Sequence, residues 1–511
     1  MAFSFPTGVR RRTDCLSMIL GEDIAEQEML AWRLEPGELD PNNPLVTPAR
    51  PWDSGSVFAH GTFALDPIDG RWKAWHVSTP LTPEYFENFR RVTHLVSEDG
   101  VEWTRPELDL CPQPGHPRTN ILLDFDSGGP SMYSSVMIDP DAEPERRYEM
   151  FVMRDPGNTT SGSPGYIRGL PPPPPGETHK RGMYRYFSPD GINWTVSEGP
   201  VLEVAVPGVR LVIPYENPLH TADTTYIFRE PDGTYMATHK LGEPAHPGGL
   251  VPYDVFAEGR RVMARRTSPD GSNWSPFETI IQPDIYDPQD IQIMELCVTP
   301  VRSGYLGVIG IYLNRTQTME LHLGGSVDGR IWDRRVRLPA VATGALGDYG
   351  GGMLWPSHNL IEHNGRHYMY FSATEGLHGD PASKSPSIWP FFSAIYRASW
   401  AVNRYWAAVS GPGGDVVGTL TTHPLPVGGQ SLILNAATST VAEGTLQAEL
   451  LDPDGNVVEG FSKVDYIPWH GDSSSATARW AGGTRCPLDE CAVRFYLERS
   501  RLYGYAWEPT P

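Results

Sequence analysis

One short pattern, Ser-x-Asp-Gly-x-x-Trp, occurs four times along this chain. The copies, called tags below, are SEDGVEW at 97–103, SPDGINW at 188–194, SPDGSNW at 268–274 and SVDGRIW at 326–332. Asp supplies an acceptor for nearby backbone amides and Gly tolerates a positive φ, so each tag predicts a tight turn between antiparallel strands. The Trp is large enough to pack against a neighbouring sheet, although a sugar-stacking Trp at a loop tip is the alternative. Such recurrence indicates one structural unit repeated with variable insertions.

A second series of turns alternates with the tags. These turns, at 66–70, 139–144, 230–233, 302–304 and 362–365, each separate two apolar, aromatic-rich runs such as TYIF and TYMATHK. The runs are β-branched and aromatic with partial alternation, which is typical of strands. Each unit is therefore a four-stranded blade, and the fifth lacks a tag and ends with RYWAAVSG at 404–411. The sequence predicts a five-bladed β-propeller.

The rest of the chain flanks this repeat region. From about residue 412, short strands alternate with Gly- and Asp-rich turns, a pattern typical of a β-sandwich. We therefore predict an all-β protein with an N-terminal extension at 1–44, a propeller at 45–411 and a sandwich at 412–511. The sandwich is interpreted as a structural support for the propeller. A sugar-binding module that uses Trp469 or Trp507 is the alternative.

Composition excludes several classes of partner. The formal net charge is −21, which argues against a nucleic acid or an anionic membrane. No apolar run of eighteen residues occurs, so no transmembrane helix is predicted. The N-terminus has arginines without a following apolar core, which predicts a cytoplasmic protein, or a secreted one if a signal was removed. The 5 cysteines do not suit a disulfide scaffold, and Cys486 and Cys491 are expected either to pair or to stay reduced.

No nucleotide-binding loop, zinc-ligand spacing or nucleophile elbow is present. The sequence therefore predicts no cofactor and no metal ligands, and it leaves open an ion at the propeller axis. Oligomeric state, including a homo-oligomer, is also left open.

A tagged five-bladed propeller followed by a β-sandwich resembles the glycoside hydrolases of families 43, 32, 62 and 117, and especially the family-32-like proteins. The resemblance covers nearly the whole chain, as architecture and scattered residues. It implies that an oligosaccharide or glycoside places one sugar ring in the axial funnel, among three carboxylates from different blades. Glycoside cleavage needs a proton donor to the leaving oxygen and a carboxylate on the opposite face of the sugar.

Two acids stand at a common depth of their blades. Asp223 precedes the first turn glycine of blade three by ten residues, and Glu295 precedes that of blade four by nine. A carboxylate inside an apolar run, as Glu295 is, is costly to bury unless it is paired or functional. By resemblance Glu295 is the general acid and Asp223 stabilises the bound ring, although Ala222 stands where the family usually has arginine. Asp53, just before the first inner strand, is the predicted base or nucleophile.

Further residues are candidates for contacts with sugar hydroxyls or for an aromatic floor. They are His60, His220, Asp348, Trp355 and His358. The stretch Arg154-Asp155-Pro156 matches the arginine-aspartate-proline motif of the family literally. Because it follows the second strand of blade two, we expect it to lie away from the inner mouth.

Together these observations predict an exo-acting glycoside hydrolase, with furanosides as the substrate class that the resemblance favours. A non-catalytic carbohydrate-binding propeller would share the fold, the tags and the aromatic mouth, but it needs no proton donor. A phosphorylase, a transglycosidase or a polysaccharide lyase on the same scaffold is the third alternative.

Overall fold

A computed structural model describes residues 12–81, 90–157, 162–203, 224–244, 259–378, 392–411, 416–439 and 443–509. Strands dominate these ranges, and their helical segments are short 3-10 turns at Gly21–Asp23, Phe125–Ser127 and Pro144–Arg146. The all-β prediction is therefore confirmed. No helix in the described ranges is long and apolar enough to cross a membrane.

Five antiparallel sheets, numbered here as blades, follow one another along the described chain after three short strands, β1 (Ile24–Glu28), β2 (Leu30–Leu34) and β3 (Glu38–Leu39). Blade one contains β4 (Ser56–Leu65), β5 (Trp72–Thr79), β6 (Arg91–Ser97), β7 (Trp103–Thr104) and β8 (Ile121–Leu123). Blade two contains β9 (Ser131–Ile138), β10 (Tyr148–Arg154), β11 (Gly182–Ser188) and β12 (Thr195–Glu203). Blade three contains β13 (Thr225–Arg229), β14 (Tyr235–Pro244), β15 (Gly259–Ser268) and β16 (Glu278–Ile281). Blade four contains β17 (Ile291–Val301), β18 (Gly304–Leu313) and β19 (Thr318–Ser326), and blade five contains β20 (Leu354–Pro356), β21 (Ile361–His363), β22 (Arg366–Thr374) and β23 (Ser393–Ala401).

The inner strands of these sheets lie around a common axis. Strand β4 contacts β9, β9 contacts β13, and β17 contacts both blade three and β20. Strand β20 in turn contacts β4, so the ring of blades is closed. Closure lets each blade bury both faces against its neighbours, which leaves only short, protected sheet edges.

Each tag forms the turn that the sequence predicts. In all four, the Ser hydroxyl oxygen accepts a hydrogen bond from the Gly amide at 2.9 Å. The indole of the Trp donates to the Gly carbonyl at 3.0 to 3.2 Å. The four glycines have φ between +70° and +79°, the left-handed region that favours glycine.

Each tag is also bound by the blade that precedes it around the ring. The tag backbone carbonyls accept hydrogen bonds from Tyr370 onto Gly100 at 2.6 Å, from Trp75 onto Gly191 at 2.7 Å, from Arg185 onto Asp270 at 2.8 Å and from Arg265 onto Asp328 at 3.1 Å. The four Trp side chains are half-buried against the apolar seams between the same blades. The tags therefore join neighbouring blades rather than line the axis.

The remaining strands form two further sheets that pack around one apolar core. They are β24 (Trp406–Ser410), β25 (Gly418–Thr422), β26 (Leu425–Pro426), β27 (Gln430–Thr438), β28 (Thr445–Leu451), β29 (Asp472–Thr477), β30 (Glu490–Glu498) and β31 (Ser500–Pro509). Both Cys486 and Cys491 lie in this core as free thiols, with their sulfur atoms 3.1 Å apart.

The structure corrects the predicted membership of two strands. Strand β24, predicted to be the outer strand of blade five, pairs instead with β2 and β31 of the sandwich. The outer position of blade five is taken by β3 from the N-terminal segment, where Leu39 pairs with Ala398. The segment predicted as an extension therefore supplies strands to both units, since β1 also pairs with β25.

Candidate functional site

Six side chains, at least one from each of the five blades, meet at the propeller axis and are called the axial cluster. They are His60, Tyr133, Tyr226, Glu295, Trp355 and His358. The rings form a continuous chain: His60 lies 4.9 Å from Tyr133 and 5.2 Å from Trp355, and Tyr226 lies 6.1 Å from Tyr133 and 5.3 Å from His358, as centroid distances. Five members are buried, whereas Trp355 keeps some exposed surface. The cluster is thus a closed aromatic centre that holds one carboxyl group.

Irregular strand pairing positions three members of the cluster. The pairing registers shift around His60 on β4, around Tyr133 on β9 and at Glu295 on β17. A bulge turns a side chain away from the regular alternation of its strand, and bulges are over-represented beside active sites. Tyr133 also has φ of +52°, a conformation that is costly for a bulky residue.

Glu295 is completely buried at 0 % exposure. Its Oε2 accepts a hydrogen bond from the Tyr226 hydroxyl at 2.7 Å, and its Oε1 accepts one from the Thr224 hydroxyl at 3.4 Å. The partner of Glu295 across the sheet is Gly310, where a Cβ would lie 2.8 Å from the Glu295 Cβ. The sequence thus provides both the space and the donors that hold this carboxyl group.

Burial and the Glu295 carboxylate together raise the pKa of Tyr226 well above its usual value. Burial, with a contribution from Glu295, raises the pKa of the Cys297 thiol as well. Both neighbours therefore stay protonated, and the Tyr226 hydroxyl remains a hydrogen-bond donor to the carboxyl group.

Two rings, those of Tyr133 and Tyr226, separate His60 from Glu295 in the chain of contacts. The His60 ring stacks between Phe58 and Tyr133, and its buried Nε2 has no hydrogen-bond partner among the described residues. Burial lowers the pKa of His60 well below its usual value, and the buried cations Arg90 and Lys240 lower it further. His60 is therefore a neutral imidazole with one unmatched polar atom, a group suited to a ligand hydroxyl.

His358 is held more tightly than His60. Its Nδ1 lies 3.1 Å from the Thr62 hydroxyl, and its backbone amide donates to the Gly61 carbonyl at 2.8 Å. Burial lowers the pKa of His358 to about 3, so this imidazole is neutral too.

The sequence-predicted residues divide into three groups. The structure brings Glu295, His60, Trp355 and His358 together in the axial cluster. Asp223 and His220 lie outside the described residues. Asp53 and Asp348 lie outside the axial cluster.

The Asp53 carboxylate is buried and held by three donors. Its Oδ1 accepts from the amides of Ala49 and Arg50 at 2.8 and 2.6 Å, and its Oδ2 accepts from Arg105 Nε at 2.8 Å. Asp348 is exposed, and together with partial burial its charge raises the pKa of the nearby Glu375. The described contacts do not link either aspartate to the axial cluster.

The Arg154-Asp155-Pro156 stretch lies at a different place from the one expected. Arg154 pairs with Ser131, the first residue of the inner strand β9, so it stands at the end of the blade where inner strands begin. Arg154 is fully buried, and burial raises the pKa of the neighbouring Asp155. The expectation that the motif lies away from the inner mouth was wrong, because β10 runs antiparallel to β9 and its end lies beside the start of the inner strand.

Sequence reasoning missed Tyr133 and Tyr226. Both stand within aromatic-rich strands whose sequence is typical of ordinary core. A strand bulge directs the Tyr133 side chain into the axial cluster. Tyr226 lies in blade three, and its hydroxyl reaches Glu295 in blade four. Among the described residues, no group of three or more His, Cys, Asp or Glu side chains is arranged to hold a metal ion.

Comparison with known proteins gives structural likeness only. No family profile and no curated protein matches the chain. A β-1,2-mannobiose phosphorylase from Listeria innocua is 12 % identical, with 72 % of this chain and 97 % of that one covered and a TM-score of 0.45. A glycosyl hydrolase from Bacteroides ovatus is 13 % identical, with 73 % and 96 % covered and a TM-score of 0.45.

Proposed function

We propose that this protein is an exo-acting glycoside hydrolase in which Glu295 donates the proton to the leaving oxygen. The observation that carries the proposal is a fully buried carboxyl group at the axis, oriented by the Tyr226 hydroxyl at 2.7 Å. Taking a carboxyl group out of water is costly, and such groups concentrate where their proton chemistry is used.

The shape of the axial cluster supports cleavage at a chain end. Most of its members are buried, and Trp355 alone among the six retains exposed surface. A closed centre accepts one terminal ring more readily than the middle of a polysaccharide. Aromatic rings such as those of Tyr133 and Trp355 pack against the apolar faces of a sugar and exclude water. A furanoside is the substrate class favoured by the sequence resemblance.

A glycosidase needs a second carboxylate, and three aspartates are candidates for it. Asp53 is fully engaged by its three donors. Asp155 stands at the end of blade two where the inner strands begin, and burial raises its pKa. Asp223 lies outside the described residues. The proposal therefore assigns Glu295 alone, and substitution of the three aspartates is needed to identify the second carboxylate.

Phosphorolysis is the second candidate reaction. Arg90 and Lys240 are buried and close enough to lower the pKa of His60. Two cations beside the axial cluster would favour an anionic attacking group such as phosphate. A phosphorylase would release a sugar 1-phosphate and would require phosphate, whereas a hydrolase would not.

The proposal is tested with Glu295→Gln on a panel of aryl glycosides and oligosaccharides, with and without phosphate. The amide keeps the shape of the side chain and removes the proton. We expect turnover of natural glycosides to fall by a factor of about 100 to 10,000, while substrates with acidic leaving groups are partly spared.

Equal loss on both kinds of substrate would show that Glu295 is not the proton donor. Sugar binding by the unmodified protein without any turnover would instead identify a carbohydrate-binding propeller. Either result would overturn the proposed reaction.

A further inference from the structure

A cleft, separate from the axial cluster, opens between blades two and three. Its volume is about 710 Å³, and it is lined by the turn that follows β9 and by the turn that follows β13. Ligand sites in proteins usually measure roughly 300 to 1,000 Å³, so the cleft has room for a small ligand.

This cleft lies at the other end of the blades from the axial cluster. On β9, Tyr133 belongs to the axial cluster and Ile138 to the cleft, five residues later. A strand rises about 3.3 Å per residue, so these two sites are separated by roughly 16 Å along the strand. The cleft is a distinct site and can be altered without touching Glu295.

The charged side chains at the floor of the cleft neutralise one another. Arg185 Nε donates to Glu149 Oε1 at 2.5 Å, and the Tyr235 hydroxyl donates to Glu149 Oε2 at 3.0 Å. At the rim, Arg229 pairs with Asp139 at 3.1 Å. These groups fix the shape of the cleft and have little unsatisfied charge to offer.

Two further arginines line the cleft, whose lining also includes Glu143 and Glu230. Within the described chain Arg146 and Arg147 form no ion pair, although the formal net charge of the protein is −21. The Arg146 guanidinium lies 3.7 Å from the centroid of the Phe187 ring, which holds it in place. The buried Nε of Arg147 has no hydrogen-bond partner in the part of the chain that the structure describes. Guanidinium groups in such a setting are suited to a carboxylate or another planar anion.

The opposite wall offers an acceptor. Glu230 Oε2 accepts from the Tyr305 hydroxyl at 2.8 Å, whereas no described residue donates a hydrogen bond to its buried Oε1. A buried acceptor left unmatched is costly, and a ligand hydroxyl would satisfy it. A phosphate or sulfate group filling the cleft would face this carboxyl group unfavourably, but a sugar can turn a hydroxyl toward it.

We propose that this cleft binds an acidic sugar residue, a uronate whose carboxylate meets Arg146 and Arg147 and whose hydroxyl meets Glu230. It is a carbohydrate-binding site in addition to the axial cluster. It would hold an acidic polysaccharide on the far face of the propeller while the axial cluster acts on a chain end.

The test measures binding of tri-galacturonate by calorimetry, with its methyl ester as the neutral analogue. We expect the wild type to bind the acid and to bind the ester at least about tenfold more weakly. The double variant R146A/R147A should lose at least about tenfold in affinity for the acid and keep its turnover of aryl glycosides. The matched control R33A/R479A removes two exposed arginines from the sandwich and should bind as the wild type does.

Three results would overturn the proposal. Equal binding of the acid and the ester would show that the carboxylate is not recognised. Equal weakening in R33A/R479A would show an effect of net charge alone. Loss of binding in Glu295→Gln, with R146A/R147A unaffected, would place the sugar at the axial cluster.

Discussion

At the scale of single residues, the hydrogen bond between Tyr226 and Glu295 is the contact on which the axial cluster depends. Tyr226→Phe would remove the hydroxyl that donates to the buried Oε2 of Glu295 at 2.7 Å. We expect the free energy of unfolding to fall by about 1 to 3 kcal/mol and turnover to fall with it. Urea denaturation and steady-state kinetics measure the two effects.

Tyr466→Phe is the matched control for this change. The Tyr466 hydroxyl is buried in the sandwich and has no hydrogen-bond partner within the described ranges, so its removal should be neutral or stabilising. If Tyr226→Phe behaved in the same way, the hydrogen bond would not be holding Glu295.

From the contacts of its carboxylate, we expect Asp53 to act mainly through its three hydrogen bonds. Asp53→Asn weakens the ion pair with Arg105, so we expect a loss of about 1 to 3 kcal/mol in stability with turnover per folded molecule retained. Arg105→Ala should produce a similar loss of stability. A collapse of turnover in Asp53→Asn alone would instead support the base role predicted from sequence.

Part of the candidate site could be predicted from the sequence. Glu295, His60 and Trp355 stand at similar distances before the first turn glycine of their blades, and an acid in an apolar run is conspicuous. Tyr133 and Tyr226 could not be found in this way, because aromatic residues in strands are usually core and because bulges depend on how strands pair.

At the scale of elements, the tags show why four glycines are required. Gly191 has φ of +74°, and a Cβ there would lie 2.8 Å from the Trp75 ring of the preceding blade. Gly70 has the same φ of +74°, but a Cβ there would meet nothing within 4 Å. Comparing substitutions at these two glycines therefore distinguishes the cost of backbone strain from the cost of a clash between blades.

We expect Gly70→Ala to cost about 1 kcal/mol, the penalty for a side chain at this φ. Gly191→Ala should cost at least about 1 kcal/mol more, because the methyl group also displaces Trp75. Thermal denaturation of the two variants measures the difference. Equal losses would show that the tag does not pack tightly against its neighbour.

The blade strands could be predicted where local sequence signals mark them. They could not be predicted where the pairing partner lies far away in the sequence. The second series of turns marks the inner hairpin of each blade, and the tags follow the third strand of blades one to four. Strand β3 is two residues long and has no pattern of its own, so its place beside β23 follows from ring closure. Strand β24 reads like any blade strand, yet its Ala408 packs into the sandwich core.

At the scale of the whole molecule, buried histidines make stability depend on pH. Burial lowers the pKa of His76, His239 and His358 to about 3 and that of His94 to about 4. These side chains stay neutral in the folded protein, whereas the unfolded chain protonates them near pH 6.5. The unfolded state thus binds more protons below that pH, and acid favours unfolding.

We therefore expect stability to be full above pH 6.5 and to fall steadily as the pH drops toward 4. At pH 5 each such histidine should cost up to about 2 kcal/mol. Urea denaturation at pH 7.5, 6 and 5 measures the slope, and His239→Gln should reduce it. A stability that is flat between pH 7.5 and 5 would contradict the prediction.

Strand pairing between the two ends of the chain has a consequence for synthesis on the ribosome. The partner of Leu39 is Ala398, and the partner of Glu28 is Thr419. At about 5 to 20 residues per second, the first strands wait roughly 20 to 80 s for these partners. During that time their edges are open to other chains, and neither the last blade nor the sandwich can be completed. Folding of both units is thus tied to the end of translation rather than proceeding in chain order.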